Sequence, residues 1–152
     1  MSSSLRPYSY WEENGQYFFD TPSGAQYVAY FLELPFAEDL YTFNFEKLHR
    51  GKYGAVDCHV FDTVCHLLWR FFQNHRNSML IACDTADGRE KARMRLFESW
   101  YKRMAPNGIS KIDRHGKADN YELFLSLLVW DHNPNKAKLL SILEDYCETM
   151  LL

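Results

Sequence analysis

Residues 10–19 read YWEENGQYFF, and the fold turns on this stretch. Asn14-Gly15 lies between two aromatic runs, and a type I′ turn needs positive φ at both central residues, a conformation that Asn and Gly tolerate best. The stretch therefore predicts a β-hairpin, with Tyr8 and Tyr10 alternating on one arm and Tyr17-Phe18-Phe19 on the other. Asp20-Thr21-Pro22-Ser23-Gly24 supplies the next turn. From Gln26 to Leu34, Tyr27, Ala29 and Phe31 alternate with Val28, Tyr30 and Leu32 until Pro35 closes the strand. Leu40 to Leu48 repeats the pattern, with Tyr41, Phe43 and Phe45 set against Thr42, Asn44 and Glu46. The first third of the chain is thus a β-meander of about four strands.

After Arg50-Gly51-Lys52-Tyr53-Gly54 the period changes. Between 56 and 75, Val56, Val60, Val64, Cys65, Leu67, Leu68, Phe71 and Phe72 share one helical face, and His59, Asp62, His66, Arg70 and Gln73 share the other. Met79 to Cys83 reads as a short strand, Asp84 to Gly88 as a turn, and about 88–104 as a second helix stopped by Pro106-Asn107-Gly108. Ile109 to Arg114 predicts a strand and His115-Gly116-Lys117 a turn. Tyr121 to Trp130 is a long strand, so nearly continuous in apolar residues from Leu123 onward that both its faces should be covered. Asn133-Pro134 caps a last helix that turns Leu139, Leu140, Ile142, Leu143, Tyr146, Cys147 and Met150 inward. The order ββββαβαββα predicts an α+β fold: a mainly antiparallel sheet opening with a four-stranded meander, with three helices packed on it.

The 152 residues, 47% hydrophobic and 24% charged, suit one globular domain, 1–152, with residues 1–6 as a flexible tail. A net charge of -3 gives no field that would attract a polyanion, which disfavours nucleic acid. No apolar run approaches a membrane span, and Cys58, Cys65, Cys83 and Cys147 lie in apolar periodic segments without framework spacing. They read as reduced core thiols of a cytoplasmic protein.

One polar cluster stands out. In the second helix Leu96, Phe97, Trp100, Tyr101 and Met104 define the inner face, and Arg89 and Arg93 fall on it one and two turns earlier. A buried guanidinium needs an anionic partner. Either Arg89 and Arg93 pair with Asp84, Asp87, Glu33, Asp20 or Glu46, or Asp84, Asp87, Gly88, Arg89 and Arg93 form a strand-turn-helix site for a phosphate or carboxylate ligand. The two aspartates and the missing glycines of a phosphate loop favour the structural account. His59, Asp62 and His66 share a helix face at i, i+3 and i+7 but lack a wall of further ligands, so a solvated face is expected and no metal is assigned. No catalytic signature occurs, no catalytic residue is assigned, and no cofactor is implied.

The segment Cys83-Asp84-Thr85-Ala86-Asp87-Gly88-Arg89, followed by Arg93, Arg95, Phe97 and Trp100-Tyr101, resembles the signature of a family of small proteins from Bacteroidetes built on a domain of unknown function. Tyr8, Tyr10, Tyr17, Phe19, Thr21, Gly24, Tyr27 and Phe31 resemble that family's opening strands. The resemblance implies a bacterial cytoplasmic setting and no activity, substrate or catalytic residue. Together these readings favour a non-enzymatic interaction domain, one component of a defence or toxin-antitoxin pair. It would bind a protein partner, or a second copy as a homo-oligomer, through an open strand edge or an aromatic patch. The rival reading is a small enzyme or sensor for an anionic ligand at Asp84 to Arg93. The third is weak nucleic-acid binding through Lys91, Arg95, Lys102 and Arg103.

Overall fold

Asn14 and Gly15 adopt φ of 52° and 79°, and the turn they make joins β1 (Trp11–Glu13) to β2 (Gln16–Asp20) with Trp11 opposite Phe18. The computed structural model describes residues 5–49, 58–84, 90–117 and 122–150. β3 (Gln26–Glu33) and β4 (Leu40–His49) complete the antiparallel meander, with a bulge between Gln26 and Tyr27. A parallel neighbour needs a crossover. Helix α1 (Cys58–Phe72) supplies it, bringing β5 (Ser78–Asp84) beside β4 through the pairs Leu40↔Ser78 and Tyr41↔Met79. Then come α2 (Glu90–Met104), the antiparallel pair β6 (Ile109–Lys117) and β7 (Glu122–Trp130), and α3 (Lys136–Met150). The seven strands form one mixed, mostly antiparallel sheet in the order β1-β2-β3-β4-β5-β7-β6.

Period-two alternation assigns the faces. Met79 and Ile81 of β5 and Leu128 and Trp130 of β7 pack under α1 and α2, against Leu68, Phe72, Phe97 and Trp100. Leu80 and the alternate β7 residues Leu123, Leu125, Leu127 and Val129 pack under Leu139 and Leu143 of α3. β7 is therefore covered on both sides, as its continuous apolar run requires. The meander differs. Phe19, Tyr27 and Phe45 lie under Val60 of α1, and Phe31 stacks on Phe71 at 4.4 Å, but among the described residues no helix lies on the other face of β1–β3.

Five local expectations are corrected. His115-Gly116-Lys117 continues β6 instead of turning: His115 pairs with Phe124 and stacks on its ring at 4.4 Å, and Lys117 still faces Glu122. The polar face of α1 is solvated only towards its C-terminal end, at Arg70 and Gln73. The chain entering β1 lies along it: Arg6 N–H donates to Asp62, the Arg6 carbonyl meets His59 Nδ1, Tyr8 N–H donates to Thr63 Oγ1, and Tyr10 O–H meets His66 Nε2. So Leu5 and Arg6, at the end of the stretch expected as a tail, pack against the body. Cys58 is exposed because it opens α1 at its outer end, whereas Cys65 is fully buried and its thiol is pushed up to about 12 by burial first and Asp62 second. Finally, α3 begins at Lys136; Asn133 ties the preceding turn through its side chain to the Asn135 N–H.

Candidate functional site

Because Trp11 pairs with Phe18, Phe18 with Val28 and Val28 with Glu46, these residues line one column of the uncovered face of the meander. Glu13, Gln16, Tyr30 and Asn44 form the next column, and Leu32 pairs with Thr42 beyond it. Trp11 stacks on Phe18 with ring centres 5.8 Å apart and remains 40% exposed, and Leu32 is 54% exposed. Large apolar side chains this open, gathered on one sheet face, mark a surface suited to a partner. The acids Glu13, Asp20 and Glu46 belong to the same face, and no described strand residue on it is lysine or arginine. The surface is therefore apolar with an acidic border. At the end of the β3–β4 hairpin an open cleft of about 530 Å³ is lined by Glu33, Phe36, Glu38 and, across from them, Lys138 of α3.

At the far end of the sheet the chemistry is ionic. Lys111 of β6, its side chain only 6% exposed, reaches Glu98 of α2 at 3.1 Å and Asp113 at 2.6 Å, and Ser126 of β7 donates to the same Asp113 carboxylate at 2.5 Å. Burial alone would lower the Lys111 pKa, yet the hydrogen bonds to Asp113 and Glu98 outweigh it and hold the ammonium above its ordinary value. Asp113 mirrors this: burial would raise it, but Lys111 and Ser126 keep it below the usual carboxylate range. A protonated lysine beside an ionised aspartate is no general base at neutral pH, so the cluster fixes α2 to the β6 edge. On the other face Arg114 Nε donates to Glu144 at 2.5 Å, fixing α3 to the same strand.

Of the residues singled out in the sequence, Asp84 ends β5 opposite Leu123 and Arg93 lies in the first turn of α2. Their side chains, and Asp87, Gly88 and Arg89 altogether, lie outside the described residues. Glu46 and Asp20 stand on the sheet face away from α2. Trp100 is fully buried and Tyr101 donates its hydroxyl to the Ile109 carbonyl at 2.8 Å, so both belong to the core beneath α2. Among the described residues no three His, Cys, Asp or Glu side chains gather at metal-binding spacing. Sequence reasoning missed the Lys111-Asp113-Ser126-Glu98 cluster. Its signal was Ser126, the one polar residue inside the run from Leu123 to Trp130.

These features define an α+β protein in which one mixed seven-stranded sheet is covered on both faces at β5 and β7 and on one face across β1 to β3. No helix in the described residues is long and apolar enough to cross a membrane. The chain belongs to the family of unknown function DUF6169, whose family model matches residues 56–148, 93 of the 152. The match takes in the segment from Cys83 to Tyr101 on which the resemblance rested, and it begins after the meander. No curated protein and no solved structure matches the chain.

Proposed function

We propose that this protein is a non-enzymatic protein-interaction domain of the bacterial cytoplasm whose docking surface is the uncovered face of the meander. The observation that carries this reading is the unequal covering of one sheet: α3 closes the outer face over β5, β7 and β6 and leaves Trp11 and Leu32 exposed on β1 and β3, with half-buried Phe18 of β2 stacked on Trp11. With Glu13, Asp20 and Glu46 around them and no strand lysine or arginine on that face, the fitting partner is a polypeptide that presents apolar side chains flanked by basic ones. A paired defence or toxin-antitoxin component would meet that description. The exposed free thiol of Cys58 and the likeness to Bacteroidetes proteins support a reducing bacterial interior. The test is capture from the native host by wild type and by the double variant Trp11→Ala/Leu32→Ser, each first shown to be folded. Loss of the captured protein in the variant, and weakening of wild-type capture by salt, support the reading. Undiminished capture by the folded variant overturns it.

The anion-site reading of Asp84, Asp87, Gly88, Arg89 and Arg93 is a separate proposal, supported by the start of α2 six residues beyond the end of β5. It is tested by thermal denaturation with nucleotides, phosphosugars and organic acids. A ligand at about 100 times its Kd adds roughly 2.7 kcal/mol. Such a shift in wild type and none in a folded Arg93→Ala variant supports it, and no shift in wild type removes it.

A further inference from the structure

The two edges of the sheet are unlike. β1 is three residues long, whereas β6 is nine, Ile109–Lys117, and among the described residues only β7 pairs with it. A long unpaired edge exposes a row of backbone N–H and C=O groups, and such edges either carry devices against pairing or are occupied. β6 is anchored from both faces, to Glu98 of α2 through Lys111 and to Glu144 of α3 through Arg114.

We infer that the occupant is a second copy of this chain, paired antiparallel along β6 about a two-fold axis at Ile112. Residues of like parity face each other across a two-fold axis through the sheet, so every register is named by its central residue. Three registers pair seven or more residues of the strand: those centred on Ile112, Asp113 and Arg114. Centring on Asp113 sets that carboxylate against itself. Centring on Arg114 sets two guanidinium groups together and Lys111 against the partner's Lys117. Like charges directly opposite are destabilising. Centring on Ile112 places Lys111 against the partner's Asp113 twice over, brings Ser110 against the partner's Arg114, and leaves Ile112 on itself at the axis. Ser110 donates its hydroxyl to the Asp131 carboxylate, which Lys136 also holds at 3.0 Å, so the partner's Arg114 meets a polar, charge-balanced site and no like charge directly opposite. Lys111 and Asp113 are already in contact at 2.6 Å, and two such pairs make a closed square of alternating charge. The charges on β6 therefore reject indiscriminate strands and admit one register of this strand with itself.

Light scattering on the wild type at rising concentration gives the first reading, and Ile112→Cys gives the second. In the proposed register the two α-carbons at position 112 would stand roughly 4.5–5.5 Å apart, within disulfide reach. Ser110→Cys is the control, because its copies are offset by about 13 Å along the strand. All are compared in a Cys58→Ser/Cys147→Ser background. The expected result is a mass of twice the 18.0 kDa chain, with oxidation cross-linking Ile112→Cys and not Ser110→Cys. Asp113→Arg should raise the dimer Kd on the order of tenfold or more by facing Lys111 with a like charge. A monomer at every concentration overturns the inference and makes the charges of β6 guards against pairing. A dimer that Ile112→Cys fails to cross-link also overturns it, because the contact then lies elsewhere.

Discussion

The two halves of the sheet solve the same problem differently. In β5 and β7 both faces are buried, by α1 and α2 on one side and α3 on the other, and β7 contributes Leu125, Leu127 and Leu128 at 1% exposure or less. In the meander the α1 side is buried by that helix, and the other side buries Val28 but keeps Trp11 and Leu32 open. The halves meet through a short parallel contact at Leu40↔Ser78 and Tyr41↔Met79, and through α1, which packs on both. The family match follows the same division, beginning at residue 56. In the proposed reading the covered half is the scaffold and the half-covered meander is the surface it carries.

The largest effect separates the halves by stability. Leu127→Ala, in the doubly covered strand, should cost about 2–5 kcal/mol in urea unfolding. Leu32→Ala should stay within about 0.5 kcal/mol. A large cost at Leu32 would mean that its face is covered after all. Next, Gly15→Ala forces a side chain into φ of 79° and should cost about 1–2 kcal/mol. Hydrogen exchange should then rise in β1 and β2 and remain unchanged in β7; a uniform rise would show that the halves open as one unit.

Acid should distinguish the halves as well. Burial first and Arg70 second hold His66 below its ordinary pKa, and Tyr10, which bonds His66, also accepts from Arg70. For a base with a lowered folded pKa, the stabilisation is complete above the unfolded value of about 6.5 and is lost as pH falls through the folded one. Asp113 also has a lowered pKa, but its contribution is complete above about 3.9 and is lost only below that. Between pH 7 and pH 5, amide exchange corrected for intrinsic rates should accelerate in β1 and β2 while β6 and β7 hold, and His66→Gln should reduce the effect. Equal acceleration in both halves would contradict this. A small effect is also expected on the stability of Trp11→Ala/Leu32→Ser, which should unfold within about 1 kcal/mol of wild type.

Much of this architecture was legible from local chemistry. Asn14-Gly15 fixed the first hairpin, the period switch after Gly54 placed α1, and the run from Leu123 to Trp130 announced a strand covered twice. What escaped depends on residues far apart in the chain. Tyr8 and Thr63, or Tyr10 and His66, meet across more than fifty positions, so the polar face of α1 looked solvated. His115-Gly116-Lys117 has turn composition, and only its partners on β7 keep it extended. The alternation of Tyr41, Phe43 and Phe45 with Thr42, Asn44 and Glu46 showed that β4 has a polar face. Which strands α3 would cover depends on how the chain crosses the sheet, and periodicity carries no information about that.

The most direct measurement is oxidative footprinting of the wild type, alone and with its captured partner, reading Trp11, Phe18 and Leu32 against Trp69 on α1. Strong protection of Trp11, Phe18 and Leu32 with an unchanged Trp69 is the expected result. Protection at Trp69 with Trp11 and Leu32 still oxidised would place the partner on the helical side and contradict the assignment of the meander as the docking surface.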